Sequence, residues 1–330
     1  MSMTVRERFI ATMEFKKADR LPVIEMFPWW DKTIHKWHTE GLPSSLTSRE
    51  DICRHFDLEV YQIEWFSRSR AANRPLGHLG KSGGLKEYSE KKVMLFPWPV
   101  INKQKWEKWA EQQKNGETVI WVELDGFFWF PREVLGVERN LFAYYDEPEI
   151  LHKLNNDLLE WTLQVLEELC KFCVPDIIHM AEDMSYNHGP MISMEMFEEF
   201  IKPYYIKLLS FLKSRNIITF IDTDGNSHKL IPWFLDLGVE GFLPNERQAG
   251  VDIVQIRDEH PYMRFIGGFD KMLMNKGEDN VRNEFERLLT VAKKGGFIMS
   301  PDHQTPPGVS YQDYRLYVKL LNEYAKKAVE

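Results

Sequence analysis

The chain has 330 residues, 43% of them hydrophobic and 28% charged, a balance that supports a large packed core and argues against disorder. Fifty acids against 42 lysines and arginines give a net charge of −8, so the chain as a whole is repelled by a phosphate backbone and nucleic acid is a poor partner. Three cysteines are too few for a disulfide framework, and no apolar run approaches the roughly 18 residues of a membrane helix, which points to a cytoplasmic protein.

The N-terminal segment MSMTVRERFIATMEF carries charges among its apolar positions and has no signal-peptide core. After it, LPVIEMF (21–27) reads as a first buried strand, followed by the helical SREDICRHF and a second strand in LEVYQIEWF (58–66). GGLKEYSEKKVMLFPWPV (83–100) reads as a small polar hairpin inserted before the third strand, TVIWVELDG (118–126). The long amphipathic run EPEILHKLNNDLLEWTLQVLEELCKF follows; the C-x-x-C of Cys170 and Cys173 near its end has no second cysteine pair for zinc and is read as thiols on a helix face. Further strands are expected in DIIHMAED (176–183), IITFIDTDG (217–225), VEGFLPNE (239–246), YMRFIGGFD (262–270) and GGFIMSPDH (295–303), with helix patterns between them. Eight alternating units without a linker or short repeat predict one α/β domain over residues 1–330, a single (β/α)8 TIM barrel.

Acids recur at the C-terminal ends of these strands: Glu25, Glu64, Glu123 with Asp125, Glu182 with Asp183, Asp222 with Asp224, Glu246, Asp270, and Asp302 before His303. In such a barrel that end carries the active site. Asp222 and Asp224 are alternate residues of one strand, so their side chains point the same way. Crowded carboxylates need a cation, a proton or hydrogen-bond donors. A metal bound by Asp222, Asp224, Asp302 and His303, an arginine such as Arg132 or Arg247, or a cationic substrate would each serve; helix capping by the individual acids is the alternative. FPWW, WFS and FFWF follow the first three strands, so Trp29, Trp30, Trp65 and Trp129 are expected to form an aromatic wall able to stack on a planar or cationic ligand. Nucleotide-binding, nucleophile-elbow and zinc-protease motifs are missing, and His179, within a strand, is given no role.

EDMSYNHGPMISMEMFEEFIKPYY (182–205), FIDTDGN (220–226), LIPWFLDLGVEGFLPNERQAGVDI (230–253), FIGGFDK (265–271) and GGFIMSPDHQTPPGVSY (295–311) together resemble the uroporphyrinogen decarboxylase superfamily, which includes corrinoid-dependent methyltransferases. True decarboxylases of that superfamily carry an arginine-rich motif after the first strand, where this chain has EMFPWWDKT. Its thiol-methylating members hold zinc through a His-x-Cys pair and a further cysteine at the positions of Asp222, Asp224 and Asp302. With both motifs replaced, the resemblance implies a third branch, which moves a methyl group from a small methylated substrate, an aryl methyl ether or a methylated amine, to a corrinoid (cobalamin) carried by a partner protein. On that resemblance Asp222, Asp224, Glu182 and Asp183 are the expected catalytic residues. Trp29, Trp30, Trp65, Trp129, Arg132 and Tyr186 would bind substrate, and Asp222, Asp224, Asp302 and His303 would hold any divalent metal. The competing expectations are a decarboxylase or other lyase anchored on Arg132, and a non-catalytic ligand-binding barrel.

Overall fold

The structure, a computed structural model, describes residues 2–66, 79, 83–96, 98 and 101–330. Seven strands form one parallel sheet: β1 (Gln62–Phe66), β2 (Ile120–Asp125), β3 (Ile177–Ala181), β6 (Ile218–Asp222), β7 (Gly241–Leu243), β8 (Arg264–Phe269) and β9 (Phe297–Pro301). They are hydrogen-bonded to one another in chain order. Two short strands, β4 (Ser185–Tyr186) and β5 (Gly189–Pro190), pair in the loop after β3. β3 and β9 are buried at every position, as expected of parallel strands covered on both faces.

Alternation along each strand sorts the side chains into two cores. Trp121, Ile177, Ile218, Phe220, Leu243, Ile266 and Ile298 form one inner cluster with Phe9 and Met13, both from the helix Val5–Met13. With Ile63 of β1 packed against it, this cluster draws on all seven strands, so the sheet curls around it. The opposite faces pack against the surrounding helices in the larger cluster.

The segment expected as the first strand, 21–27, is not a strand, although its inward residues Ile24 and Met26 join the inner cluster. Its polar backbone groups find other partners. Glu59 N–H donates to the Val23 carbonyl at 2.8 Å, Arg49 donates to the Glu25 carbonyl at 2.8 Å, and the Ser300 hydroxyl accepts from Met26 N–H at 3.1 Å. Side chains here do what a ladder does elsewhere, and Pro22 and Pro28 near the ends of the segment offer no N–H for one.

The expected hairpin at 83–100 is also corrected: Leu85–Leu95 is a helix, and residues 97, 99 and 100 of that stretch lie outside the described residues. Tyr88 and Leu95, seven residues apart and therefore on one helix face, are both buried, and Tyr88 donates to Asp157 at 2.8 Å. The polar letters that suggested a hairpin are the solvated face, where Glu87 and Lys91 pair at i,i+4. Among the described residues no helix is long and apolar enough to cross a membrane.

Candidate active site

On β2, β3 and β6 the inward-facing row changes from apolar to polar as it approaches the C-terminal end of the sheet. The sheet register places Trp121 beside Ile177, Glu123 beside His179, and Ala181 beside Asp222. One layer of Trp121, Ile177 and Ile218 therefore supports a polar layer of Glu123 and His179, with Asp222 just above it. Above these groups lies a cavity of about 280 Å³, lined by Glu123, Asp183, Asp222, Asp224, His303, Phe27, Trp65 and Trp129 among others.

His179 sits at the base of the cluster, 2% exposed. Its Nε2 lies 3.4 Å from Glu123 Oε2 and 3.6 Å from Asp222 Oδ2, while its Nδ1 receives the Trp121 indole N–H at 2.6 Å. Burial, followed by the charges of Asp183, Glu123 and Asp224, pushes Asp222 well above the ordinary carboxylate range. Asp183 is also raised, by burial and then by Asp224, with Arg132 opposing. His303 is raised by its pairing with Asp224, whose Oδ2 is 3.6 Å from Nε2, and its ring packs on Phe27 at 5.5 Å.

The expected site residues divide between the cavity and its supports. Asp222, Asp224, Asp183, Trp65, Trp129 and His303 line the cavity together. Glu182, one residue before Asp183, points the other way and is fully buried. It accepts from the backbone N–H groups of Phe127 (2.9 Å), Phe128 (2.7 Å) and Trp129 (3.2 Å), and from the Tyr205 hydroxyl. Burial pushes Glu182 up to about 7 against the pull of Tyr205 and these amides. Glu182 thus fixes the turn that presents Trp129, and the fit is close: a Cβ on Gly126 would lie 2.2 Å from its carboxyl carbon.

Arg132 stacks over Trp129 at 4.3 Å and donates to the Asp183 carbonyl at 3.0 Å and carboxylate at 3.3 Å. Asp302 is buried beneath the surface, accepting from Arg247 N–H at 2.9 Å, Lys271 N–H at 3.1 Å and the Lys271 ammonium at 3.3 Å. The expected set of Asp222, Asp224, Asp302 and His303 is therefore divided, with Asp302 committed to Lys271. Trp29 packs among Trp37, Phe56 and Tyr314 in the helix layer, whereas Trp30 and Tyr186 are 44% and 49% exposed on loops at the cavity end. Glu64 faces outward to Lys105, and Glu25 accepts from Thr305 and Tyr314.

His179, given no role from the sequence, and Glu123, seen only as one of many strand-end acids, belong to the centre of the site. Among the described residues, Glu123, His179 and Asp222 are the group of three whose donor atoms lie within 4.8 Å of one another. They do not fit a metal ligand set through His179. Its Nδ1 lone pair is occupied by the Trp121 N–H, so the neutral ring carries its proton on Nε2, the nitrogen facing the carboxylates.

Fold and site together define an α/β protein whose polar pocket opens at the C-terminal end of a curled parallel sheet. The family model for uroporphyrinogen decarboxylase (URO-D) matches residues 131–324, more than half of the chain, and the chain belongs to that family. Among solved structures it is similar to a methyltransferase from Methanosarcina mazei, with a TM-score of 0.69 at 15% identity over 98% of this chain and 99% of that one. It also matches the YdhT protein from Bacillus subtilis, with a TM-score of 0.46 at 12% identity over 92% of this chain and 89% of that one. No curated protein sequence matches it.

Proposed function

We propose that the protein is a methyltransferase that moves a methyl group from a small methylated compound to a corrinoid carried by a partner protein. The observation that carries this reading is the pocket itself: four carboxylates crowd one wall, with Asp222 pushed toward its protonated form, and Trp65, Trp129 and Phe27 supply apolar surface. The similarity in fold to a methyltransferase supports the choice of reaction.

Breaking a methyl–oxygen bond leaves the electron pair on oxygen, and a carboxylic acid within reach supplies the proton that oxygen needs. Asp222 takes that role, with Asp183 and Asp224 beside it keeping its proton affinity high. A bound corrinoid in its reduced state would supply the nucleophile for the methyl carbon. Trp65 and Trp129 hold the substrate ring, or the cationic nitrogen of a methylated amine, in orientation. Trp30, Tyr186 and Met272 (46% exposed) all lie on segments at this end of the sheet and give a docked partner apolar surface to cover. In this reading, the segment 21–27 stands where the eighth stave of the barrel would be.

A decarboxylase acting on a polycarboxylate needs cationic anchors in the pocket. Arg132 is engaged by Asp183, Lys271 by Asp302 and Glu246, and the cavity wall is acidic. The test is to add the protein to cob(I)alamin with a panel of methoxyaromatics and methylated amines and follow the visible spectrum. Methylcobalamin formed with one substrate class and only with the protein present is the expected result. CO2 release from a carboxylated compound, with no methyl transfer from any member of the panel, would overturn the proposal.

A further inference from the structure

We infer that Trp121, His179, Glu123 and Asp222 form a metal-excluding proton site, in which Trp121 locks His179 as a neutral Nε2–H donor aimed at the two carboxylates. The inference stands on geometry alone and holds whether or not the methyl-transfer reading does.

An indole N–H can only donate, so at 2.6 Å it requires an acceptor, and Nδ1 must present its lone pair. Two other states of His179 are thereby ruled out. A metal on Nε2 would move the ring proton to Nδ1, leaving two N–H groups facing each other at that distance. An imidazolium carries protons on both nitrogens and meets the same conflict. The lock is rigid because both rings are buried: Trp121 is 1% and His179 2% exposed, and they meet edge to face with centroids 5.7 Å apart. Trp121 is itself fixed by its strand and by the apolar inner cluster around it.

His179 Nε2 makes no close hydrogen bond, yet it is buried and aimed between Glu123 Oε2 and Asp222 Oδ2, at 3.4 and 3.6 Å. Its proton faces both carboxylates and is hydrogen-bonded to neither. With its proton on Nε2, the imidazole offers these acids a donor and no ligand lone pair. His179 is a positioning residue that aims its donor nitrogen between Glu123 and Asp222 beneath the cavity.

The experiment uses the full chain. With 15N-histidine labelling, the ring nitrogens of His179 are assigned by their loss in His179→Gln and followed by NMR with and without zinc; zinc content is measured after equilibrium dialysis. The expected result is an Nε2–H ring unchanged by zinc and less than stoichiometric zinc bound. Trp121→Phe keeps a buried ring but removes the donor, and should bind zinc about 10–100-fold more tightly than wild type, with the gain lost in Trp121→Phe/His179→Gln. A wild-type ring protonated on Nδ1, or one zinc per chain that His179→Gln abolishes, would overturn the inference. A folded Trp121→Phe with no gain would overturn the assignment of metal exclusion to Trp121. None of these readouts depends on methyl transfer, so its absence would leave them unmoved.

Discussion

The acids that line the cavity and those at the opposite end of the sheet keep different company. At the N-terminal end, the acids Asp19, Glu59, Asp176 and Glu240 each meet an arginine. Arg8 bridges Asp19 at 2.7 Å and Glu59, and Arg20 adds a second contact to Glu59 at 2.8 Å. Asp176 accepts from Arg6 and Gln113 at 2.8 Å and from Ile120 N–H at 2.9 Å, and Arg264 pairs with Glu240. At the C-terminal end, Glu123, Asp183, Asp222 and Asp224 face one another, with a locked histidine beneath them and a single arginine behind Asp183. Arg8 holds Asp19 well below the ordinary aspartate value, whereas burial and neighbouring charge hold Asp222 well above it. Matched charge at one end serves the fold; crowded charge at the other is what the proposed proton donor requires.

The strongest way to break this contrast is Asp222→Asn, which keeps the shape and removes the proton. Methyl transfer to cob(I)alamin should fall about 10²–10⁴-fold, the range for losing a positioned acid, with the fold retained by circular dichroism. Full activity would return Asp222 to the class of structural acids. Next comes Arg8→Met at the other end, which leaves Glu59 buried with Arg20 as its remaining arginine. Breaking a buried pair typically costs about 3–5 kcal/mol, and urea denaturation should find a loss at the lower end of that range because Arg20 stays in place. Activity per folded molecule should not change. A smaller effect is expected of Trp129→Leu, which removes the surface against which Arg132 stacks. Substrate KM should rise about tenfold with little change in kcat, in line with the roughly 1–2 kcal/mol of an aromatic contact; an equal fall in kcat would place Trp129 in the transition state instead.

Much of this contrast was legible in the sequence, because strand period and strand ends are local properties. The order of the seven strands follows from their apolar runs, and the shared orientation of Asp222 and Asp224 from residue alternation. Glu182 and Asp183 were expected together in the site, but only Asp183 lines the cavity, while Glu182 caps a turn. The pairing of His179 with Glu123 was hidden, because it depends on the register between β2 and β3, which neither strand carries alone. The role of Trp121 was hidden for the same reason. Trp29 was misplaced because an aromatic just beyond a strand end can turn toward the mouth or toward the helix layer, and here Trp37 and Tyr314 provide the packing that decides it. The helix Leu85–Leu95 was obscured by its charged face, and the segment 21–27 by side chains that replace its ladder.

The smallest expected effect is the sharpest on sign, because the two ends should respond oppositely to pH. For Asp222, with a raised folded pKa, the folded state keeps a proton that the unfolded chain loses above the ordinary aspartate value of 3.8. Wild-type stability from this group is therefore greatest below that value and declines as pH rises through the folded pKa. Asparagine cannot lose a proton, so Asp222→Asn should gain stability relative to wild type as pH rises above 3.8, by about 2 °C in Tm for each kcal/mol. For Asp19, with a lowered folded pKa, the contribution is present above 3.8 and is lost as pH falls through the folded pKa. Asp19→Asn should therefore be costliest near pH 7 and approach wild type in acid. Melting curves of both variants across that range test the comparison in one experiment. Parallel responses would mean that the mouth acids are compensated as fully as those at the opposite end, and the case for Asp222 as a proton donor would fall with the contrast.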